Sequence, residues 1–123
     1  MTDARLSFKE MCARFDVTPR TLRYYEYIEL IAPQRDGRSR SYGAREVARM
    51  TLILRGRRWG FSLEEIRQWL EMYDTEGSTA QMRALVALAD RRLAALEAER
   101  AQIETSIDEL RSLRAEVSGA LDD

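Results

Sequence analysis

The sequence contains no histidine and only one cysteine, Cys12, among its 123 residues. Disulfide frameworks, zinc fingers and thiol–imidazole dyads are therefore excluded. The carboxylates stand mostly at predicted helix starts or on exposed faces, so no set of acid, base and nucleophile can be assembled. The composition argues against an enzyme, and neither a metal site nor another cofactor is expected.

Long hydrophobic runs are also missing, and the first ten residues, MTDARLSFKE, are polar. Neither a signal peptide nor a membrane span is predicted, and the expected location is the cytoplasm. A hydrophobic fraction of 45% with 33% charged residues is typical of a soluble, helix-rich protein. The length fits one small domain with an extension.

The net charge of −1 hides an asymmetry along the chain. Residues 14–58 hold 11 arginines against five acidic residues, whereas residues 74–123 hold six arginines against 11 acidic residues. The basic block indicates a surface for a polyanion such as nucleic acid, and the acidic block a solvated helix. Ordinary charged helix faces are the alternative explanation for both.

Two short helices are predicted near the start of the chain. Ser7 and Glu10 form a capping-box pattern at the start of a helix that runs to about Phe15. Thr18 before Pro19 is a typical cap for a second helix, because the first helical position tolerates a residue without an N–H group. The short connection between them predicts a helix-turn-helix arrangement.

The second helix has a cationic and aromatic face. At 100° per residue, Arg20, Arg23, Tyr24 and Tyr27 fall on one side, opposite Leu22 and the acidic residues. Such a face suits phosphates and base edges. Three further arginines, at 35, 38 and 40, follow in a segment that reads as a two-stranded ribbon turning at Asp36-Gly37. The pattern predicts a recognition helix and a basic wing.

Two more helices are predicted after the wing. The first covers Ala44 to Arg58 and ends before Gly60. Ser62 and Glu65 form a second capping box, and the following helix has an apolar face that continues to Tyr73. The two tryptophans, at 59 and 69, are expected in the core.

A polar joint, residues 74–77, precedes a long helix over residues 78–118 and a short tail, 119–123. Ser78 and Gln81 form a third capping-box pattern. A spacing of alternately three and four residues then predicts a coiled-coil seam, which Arg100 and Arg114 interrupt. About 37 residues at about 1.5 Å each would span roughly 55 Å, too long to bury its stripe without a partner helix. The predicted dimerisation residues are Val86, Leu93, Leu96, Ile103, Ile107, Leu110 and Val117.

An antiparallel homodimer is the arrangement that we expect for this seam. In a parallel pair each seam arginine would face its own copy, whereas an antiparallel pair can set it beside acidic residues of the other chain.

The strings TPRTLRYYEYIELIAP, RSRSY and GFSLEEIRQWL together resemble the DNA-binding domain of the MerR family of bacterial transcription regulators. The resemblance covers about residues 5–73 and implies a mainly α-helical fold, a winged helix-turn-helix domain over residues 1–73 followed by an antiparallel coiled coil. It implies a homodimer on double-stranded DNA, which distorts a promoter and acts on RNA polymerase indirectly through the DNA.

The physical pattern and the resemblance together assign the DNA contacts. A dimer presents two equivalent recognition helices, so the operator should be an inverted repeat, with Arg20 at a guanine edge. The Arg-Tyr-Tyr motif at 23–25 and the wing residues are expected to contact phosphates. The predicted DNA-binding residues are Thr18, Arg20, Arg23, Tyr24, Tyr25, Arg38, Arg40, Tyr42 and Arg57.

The sequence departs from the family pattern at two places. Glu29 stands where the family usually has glycine, which makes a left-handed helix end less available. The cysteines of metal-responsive and redox members are absent, and Cys12 is expected to be a buried small hydrophobe. Similarity to short, cysteine-free members suggests as effector a metabolite of fatty-acid or branched-chain amino-acid breakdown. A DNA-architectural or coiled-coil adaptor protein without promoter activation is the alternative function.

Overall fold

The computed structural model describes residues 5–123, apart from the side chains at positions 73 and 74. Five helices and a small sheet confirm the predicted fold class, a mainly helical chain with a winged helix-turn-helix. In chain order the elements are β1 (Leu6–Ser7), α1 (Phe8–Phe15), α2 (Pro19–Tyr27), β2 (Gln34–Asp36), β3 (Ser39–Tyr42), α3 (Ala44–Arg58), α4 (Leu63–Glu76) and α5 (Ser78–Asp122).

Two of the predicted capping boxes are present. The Glu10 N–H donates to Ser7 Oγ at 3.1 Å, and the Ser7 N–H donates to Glu10 Oε1 at 2.9 Å. Ser62 and Glu65 make the same reciprocal pair before α4, at 3.1 and 2.9 Å. These bonds satisfy N–H groups that a helix start leaves without intrahelical partners, so each pair fixes the first turn of its helix.

The wing is a three-stranded antiparallel sheet with the strand order β1-β3-β2. Gly37, with a φ of 63°, makes the turn between β2 and β3, as predicted. Strand β1 was not predicted, because two residues carry no periodic signal of their own. It exists through the pairing of Leu6 with Tyr42, 36 positions further along the chain.

The core of the helix-turn-helix unit is formed by apolar side chains from α1 to α4. Cys12 is buried among them, as expected, and burial raises the pKa of its thiol. The expectation for Trp59 was wrong, because 45% of this residue is exposed beyond the end of α3. Trp69 is half-buried and donates its Nε1–H to the Gln81 carbonyl at 2.8 Å. The fully buried side chains are Met11, Leu22, Leu30, Ile31, Tyr42, Met50 and Ile53.

The end of α2 corrects the expectation for Glu29. This residue adopts a left-handed φ of 65° although it has a Cβ. The Leu30 N–H donates to the Tyr25 carbonyl at 2.9 Å, and the Glu29 N–H donates to the Glu26 carbonyl at 3.1 Å. These two bonds make a Schellman motif, which leads the chain out of the helix toward the wing.

The predicted joint and tail are both shorter in the structure. Helix α4 continues to Glu76, and only Gly77, with a φ of 89°, separates it from α5. Ser78 is the first residue of α5 and not its cap, and the Gln81 side chain donates to the Trp69 carbonyl at 3.1 Å. Helix α5 passes through Gly119 to Asp122. The chain divides into two compact units, Met1–Gln81 and Met82–Asp123.

Candidate nucleic-acid interface

Helix α2 is fixed at its start by Thr18. The Thr21 N–H donates to Thr18 Oγ1 at 3.1 Å, and the two threonine hydroxyls lie 2.9 Å apart. Pro19 occupies the first turn, as the sequence predicts. The Thr18 hydroxyl, predicted to contact DNA, is therefore already engaged in capping the helix.

One face of α2 is open to solvent and carries the predicted groups. Arg20 and Arg23 are exposed, as are 50% of Tyr24 and 82% of Tyr27. The opposite face packs into the core through Leu22, which has no exposed surface. The helical period thus separates a buried face from a face of cations and aromatic rings.

A cleft joins this face to the end of α3. Its cavity of about 390 Å³ is lined by Arg20, Thr21, Tyr24, Tyr25, Arg57 and Leu63. Two guanidinium groups thus border one concavity, the arrangement that a phosphodiester needs for charge-assisted hydrogen bonds. The Arg57 Nη1–H donates to the Phe61 carbonyl at 3.2 Å, which anchors the side chain beside the cleft.

Tyr25 is a wall of this cleft more than an exposed contact. Only 7% of the residue is accessible, and burial raises the pKa of its hydroxyl, while the Arg57 charge opposes that rise. The hydroxyl is therefore protonated near neutral pH. The phosphate contact of Tyr25 stays a prediction, and the structure places this residue in the wall of the cleft.

The wing presents its arginines unequally. Arg38 is exposed at the turn between β2 and β3. Arg40 is only 26% exposed at its side chain, and its Nε lies 3.2 Å from Glu26 Oε1. Arg35 is 63% exposed, and its Nη2 lies 3.8 Å from the same oxygen.

The prediction that Tyr42 contacts DNA is wrong for this structure. Tyr42 has no exposed surface, because β3 is the central strand and this residue faces the helices. Its hydroxyl donates a hydrogen bond to Glu26 Oε2. Burial, reinforced by this hydrogen bond, raises the pKa of the Tyr42 hydroxyl far above its usual range, so it remains a donor.

Phe8 is a functional candidate that the sequence pattern did not single out. The guanidinium carbons of Arg23 and Arg40 lie 5.4 and 5.1 Å from the centre of its ring. Cations at such distances from an aromatic face are attracted by its quadrupole. Phe8 therefore holds an arginine of the recognition helix and an arginine of the wing on one platform.

The second unit presents the predicted seam on its surface. All seven predicted dimerisation residues are exposed in the single chain, from 37% at Leu96 to 66% at Leu110. A shallow groove of about 500 Å³ follows this stripe, lined by Glu99, Gln102, Ile103, Ser106, Ile107 and Leu110. An exposed apolar stripe of this kind on one helix is a surface for another helix.

Among the side chains that the structure describes, no group of three or more Cys, Asp or Glu is arranged to hold a metal ion. The described helices include none that is both long and apolar enough to cross a membrane.

Comparison with known proteins identifies relatives of both units. The profile of the MerR HTH family regulatory proteins matches residues 6–73, and a second profile, described as MerR, DNA binding, matches residues 47–113. The chain is 39% identical over 80 residues to the HTH-type transcriptional regulator HmrR of Rhizobium leguminosarum bv. viciae. That match covers 63% of this chain and 62% of the regulator, so less than two thirds of the relative's length is represented.

Two solved structures share the fold. A MerR-family transcriptional regulator from Bacillus cereus is 24% identical, with a TM-score of 0.72 over 89% of this chain and 79% of that one. HiNmlR, described as a MerR family regulator lacking the sensor domain and bound to promoter DNA, is 18% identical, with a TM-score of 0.66 over 85% and 80% of the two chains.

Proposed function

The chain belongs to the MerR family of DNA-binding transcriptional regulators, and we propose that it binds an inverted repeat in a promoter as a homodimer and distorts that DNA to control transcription. RNA polymerase responds to the changed DNA and needs no direct contact with the regulator. As a member of this family the chain is not an enzyme. Its place of action is the cytoplasm.

The observation that carries the proposal is the cleft between α2 and the end of α3. Arg20 and Arg57 border it from two elements, and Tyr24 stands exposed at its rim. A fixed helix with exposed arginines can enter the major groove, while the neighbouring cations pair with the backbone. In this assignment Arg20 reads a guanine edge, and the phosphates are contacted by Arg23, Tyr24, Arg38, Arg40 and Arg57.

Site selection tests the proposal. The purified protein is incubated with a random double-stranded library at physiological salt, and the bound sequences are determined. One enriched inverted repeat is expected, because two equivalent recognition helices read two half-sites. Retention of many unrelated sequences would instead support the DNA-architectural alternative. Failure to retain any duplex would contradict DNA binding itself.

The homodimer is proposed to be an antiparallel coiled coil with one particular register. The seam positions from Met82 to Leu121 alternate in steps of four and three residues, and this order reads the same in both directions. An antiparallel pair can therefore place every seam residue opposite another when the two residue numbers add to about 203. Arg114 then faces the small Ala89 of the other chain, and Arg100 faces Ile103.

Two variants, each with one introduced cysteine, test this register. Chains carrying Ala89→Cys and chains carrying Arg114→Cys are mixed until the dimers have exchanged subunits, and the mixture is then oxidised. A disulfide-linked heterodimer is expected, whereas each variant alone should stay unlinked, because like positions would lie about 25 residues, or roughly 37 Å, apart. Wild-type chain, whose Cys12 is buried, is the control. Linkage of either variant to itself would favour a parallel pair.

The proposed effector is an acyl thioester from fatty-acid or branched-chain amino-acid breakdown. A cleft of about 370 Å³ in the first unit could receive its acyl chain, since the lining combines apolar groups with guanidinium groups: Arg45, Ala48, Arg49, Leu52, Trp69, Leu70 and Gln81. An acyl-coenzyme A should raise the melting temperature of the protein, while coenzyme A should not. Leu52→Asp should abolish the difference. Equal shifts with both compounds would remove this cleft from consideration.

A further inference from the structure

Glu26 is a buried carboxylate that connects the recognition helix to the wing. Its side chain is 6% exposed although it lies in the last turn of α2. The Tyr42 hydroxyl donates to Oε2, while Arg40 and Arg35 approach Oε1 at 3.2 and 3.8 Å. One carboxylate thus gathers groups from both strands of the wing hairpin.

The pairing of the strands explains why a charge is needed there. Arg35 and Arg40 are directly opposite each other in the register of β2 with β3. Like charges at such a position repel and destabilise a hairpin. The Glu26 carboxylate offsets this repulsion, and its own burial is compensated by the two cations and the tyrosine donor.

This arrangement withholds part of the wing's positive charge from a ligand. The Arg40 Nε is buried and makes no hydrogen bond within the described residues, although it is close to the carboxylate. Arg38 precedes Arg40 by two residues and is exposed at the turn between β2 and β3.

We propose that Glu26 limits the binding of DNA phosphates by the wing, because it pairs closely with Arg40 and, at longer range, with Arg35. The inference rests on the proposed DNA binding and adds a role that the phosphate-contacting residues do not have. A carboxylate and a phosphate compete for the same guanidinium groups, so removing the carboxylate charge frees cations for the backbone. Binding to arbitrary duplex should then strengthen, although the replaced side chain is only 6% exposed.

The test compares salt dependence in Glu26→Gln and wild-type protein. Glutamine keeps the length of the side chain and an oxygen that accepts from Tyr42, but it lacks the charge. Each freed arginine that reaches a phosphate steepens the plot of log K against log salt by about 0.9. Between 50 and 200 mM salt, that slope corresponds to about 3.5-fold more loss of binding per arginine.

Glu29→Gln is the matched control. Glu29 lies three residues further along, is exposed, and loses the same charge on substitution. General electrostatic attraction to DNA changes equally in both variants, so any difference between them belongs to the arginines that Glu26 holds. A random-sequence duplex is used, and fluorescence anisotropy gives the affinity at each salt concentration.

Glu26→Gln is expected to show a slope steeper than Glu29→Gln by about one unit, from Arg35 and the part of Arg40 that Glu26 withholds, and tighter binding at 50 mM salt. Equal slopes in the two variants, or weaker binding with an unchanged slope, would reduce Glu26 to a structural residue and overturn the inference. Absence of duplex binding by wild-type protein would instead contradict the proposed function. The two failures are thus distinct.

A second variant keeps the test open if Glu26→Gln does not fold. Glu26→Asp preserves the net charge and draws the carboxylate away from the strands by one methylene group. The plot of log K against log salt should still be steeper for this variant than for wild-type protein, although the two proteins have the same net charge. A wild-type slope in this variant would also refute the inference. Circular dichroism at the assay temperature confirms which of the variants are folded.

Discussion

Replacing Glu29 by glycine should stabilise the protein. Glu29 holds a φ of 65° at the end of α2, in the left-handed region where a Cβ approaches the following carbonyl oxygen. That conformation costs roughly 1–2 kcal/mol for a residue with a Cβ. Glycine removes this cost, but it also gives the unfolded chain more freedom, which offsets about 0.5–1 kcal/mol. The net gain should be about 0.5–1 kcal/mol.

The charge of Glu29 contributes separately. A negative side chain near a helix C-terminus opposes the helix dipole by about 0.3–1 kcal/mol where screening is weak. Three variants separate the two effects. Glu29→Gln removes the charge alone, Glu29→Ala removes the charge and the long side chain, and Glu29→Gly also removes the Cβ.

Thermal unfolding followed by circular dichroism checks the series. For a unit of this size 1 kcal/mol corresponds to about 4–8 °C, so Glu29→Gly should melt about 2–8 °C above Glu29→Ala. The proteins must be compared at one concentration, because dimerisation raises the melting temperature with concentration. A glycine variant no more stable than the alanine variant would refute the idea that φ strain resides at this position.

Four further outcomes are expected. Arg20→Ala should weaken the selected operator by about 1–3 kcal/mol more than random duplex, and equal losses in anisotropy titrations would remove Arg20 from base reading. Arg38→Ala should flatten the plot of log K against log salt by about 0.9. Arg40→Ala should flatten it by less, because Glu26 already engages Arg40. A larger change with Arg40→Ala than with Arg38→Ala would contradict the greater exposure of Arg38. Phe8→Leu should weaken binding to all sequences, by about 0.5–1 kcal/mol per displaced arginine, and an unchanged affinity would show that the ring is no platform. Tyr42→Phe should lower the free energy of unfolding in urea by about 1–3 kcal/mol, because Glu26 loses a buried donor; a neutral effect would mean that its hydrogen bond is dispensable.

The elements that local chemistry specifies were predictable. The capping boxes at Ser7 and Ser62 act over three residues, so the sequence pattern contains everything that they need. The same pattern at Ser78 was misleading, because α4 continues to Glu76 and leaves Gly77 as the only break before α5. Strand β1 could not be predicted locally, since it depends on its partner in β3.

The candidate site was also predictable only where local sequence determines it. The helical period predicted that Arg20, Arg23 and Tyr24 share an open face, and the structure leaves all three exposed. It could not predict that Phe8 lies beneath both Arg23 and Arg40, or that Tyr42 turns inward to Glu26. Those contacts join positions 15 to 32 residues apart, and only the packing of α1, α2 and the wing brings them together.

The position of Glu26 in its helix strengthens the case that it serves the wing. An acidic residue in the last turn of α2 is disfavoured by the helix dipole, and this turn has no basic residue to offset it. Burial adds a further cost, because a carboxylate removed from water must be paired. Among the described residues, the ion pairs of Glu26 are with the wing. The compensation comes from Arg35, Arg40 and Tyr42, so the stability of the recognition helix and the charge available on the wing depend on the same carboxylate.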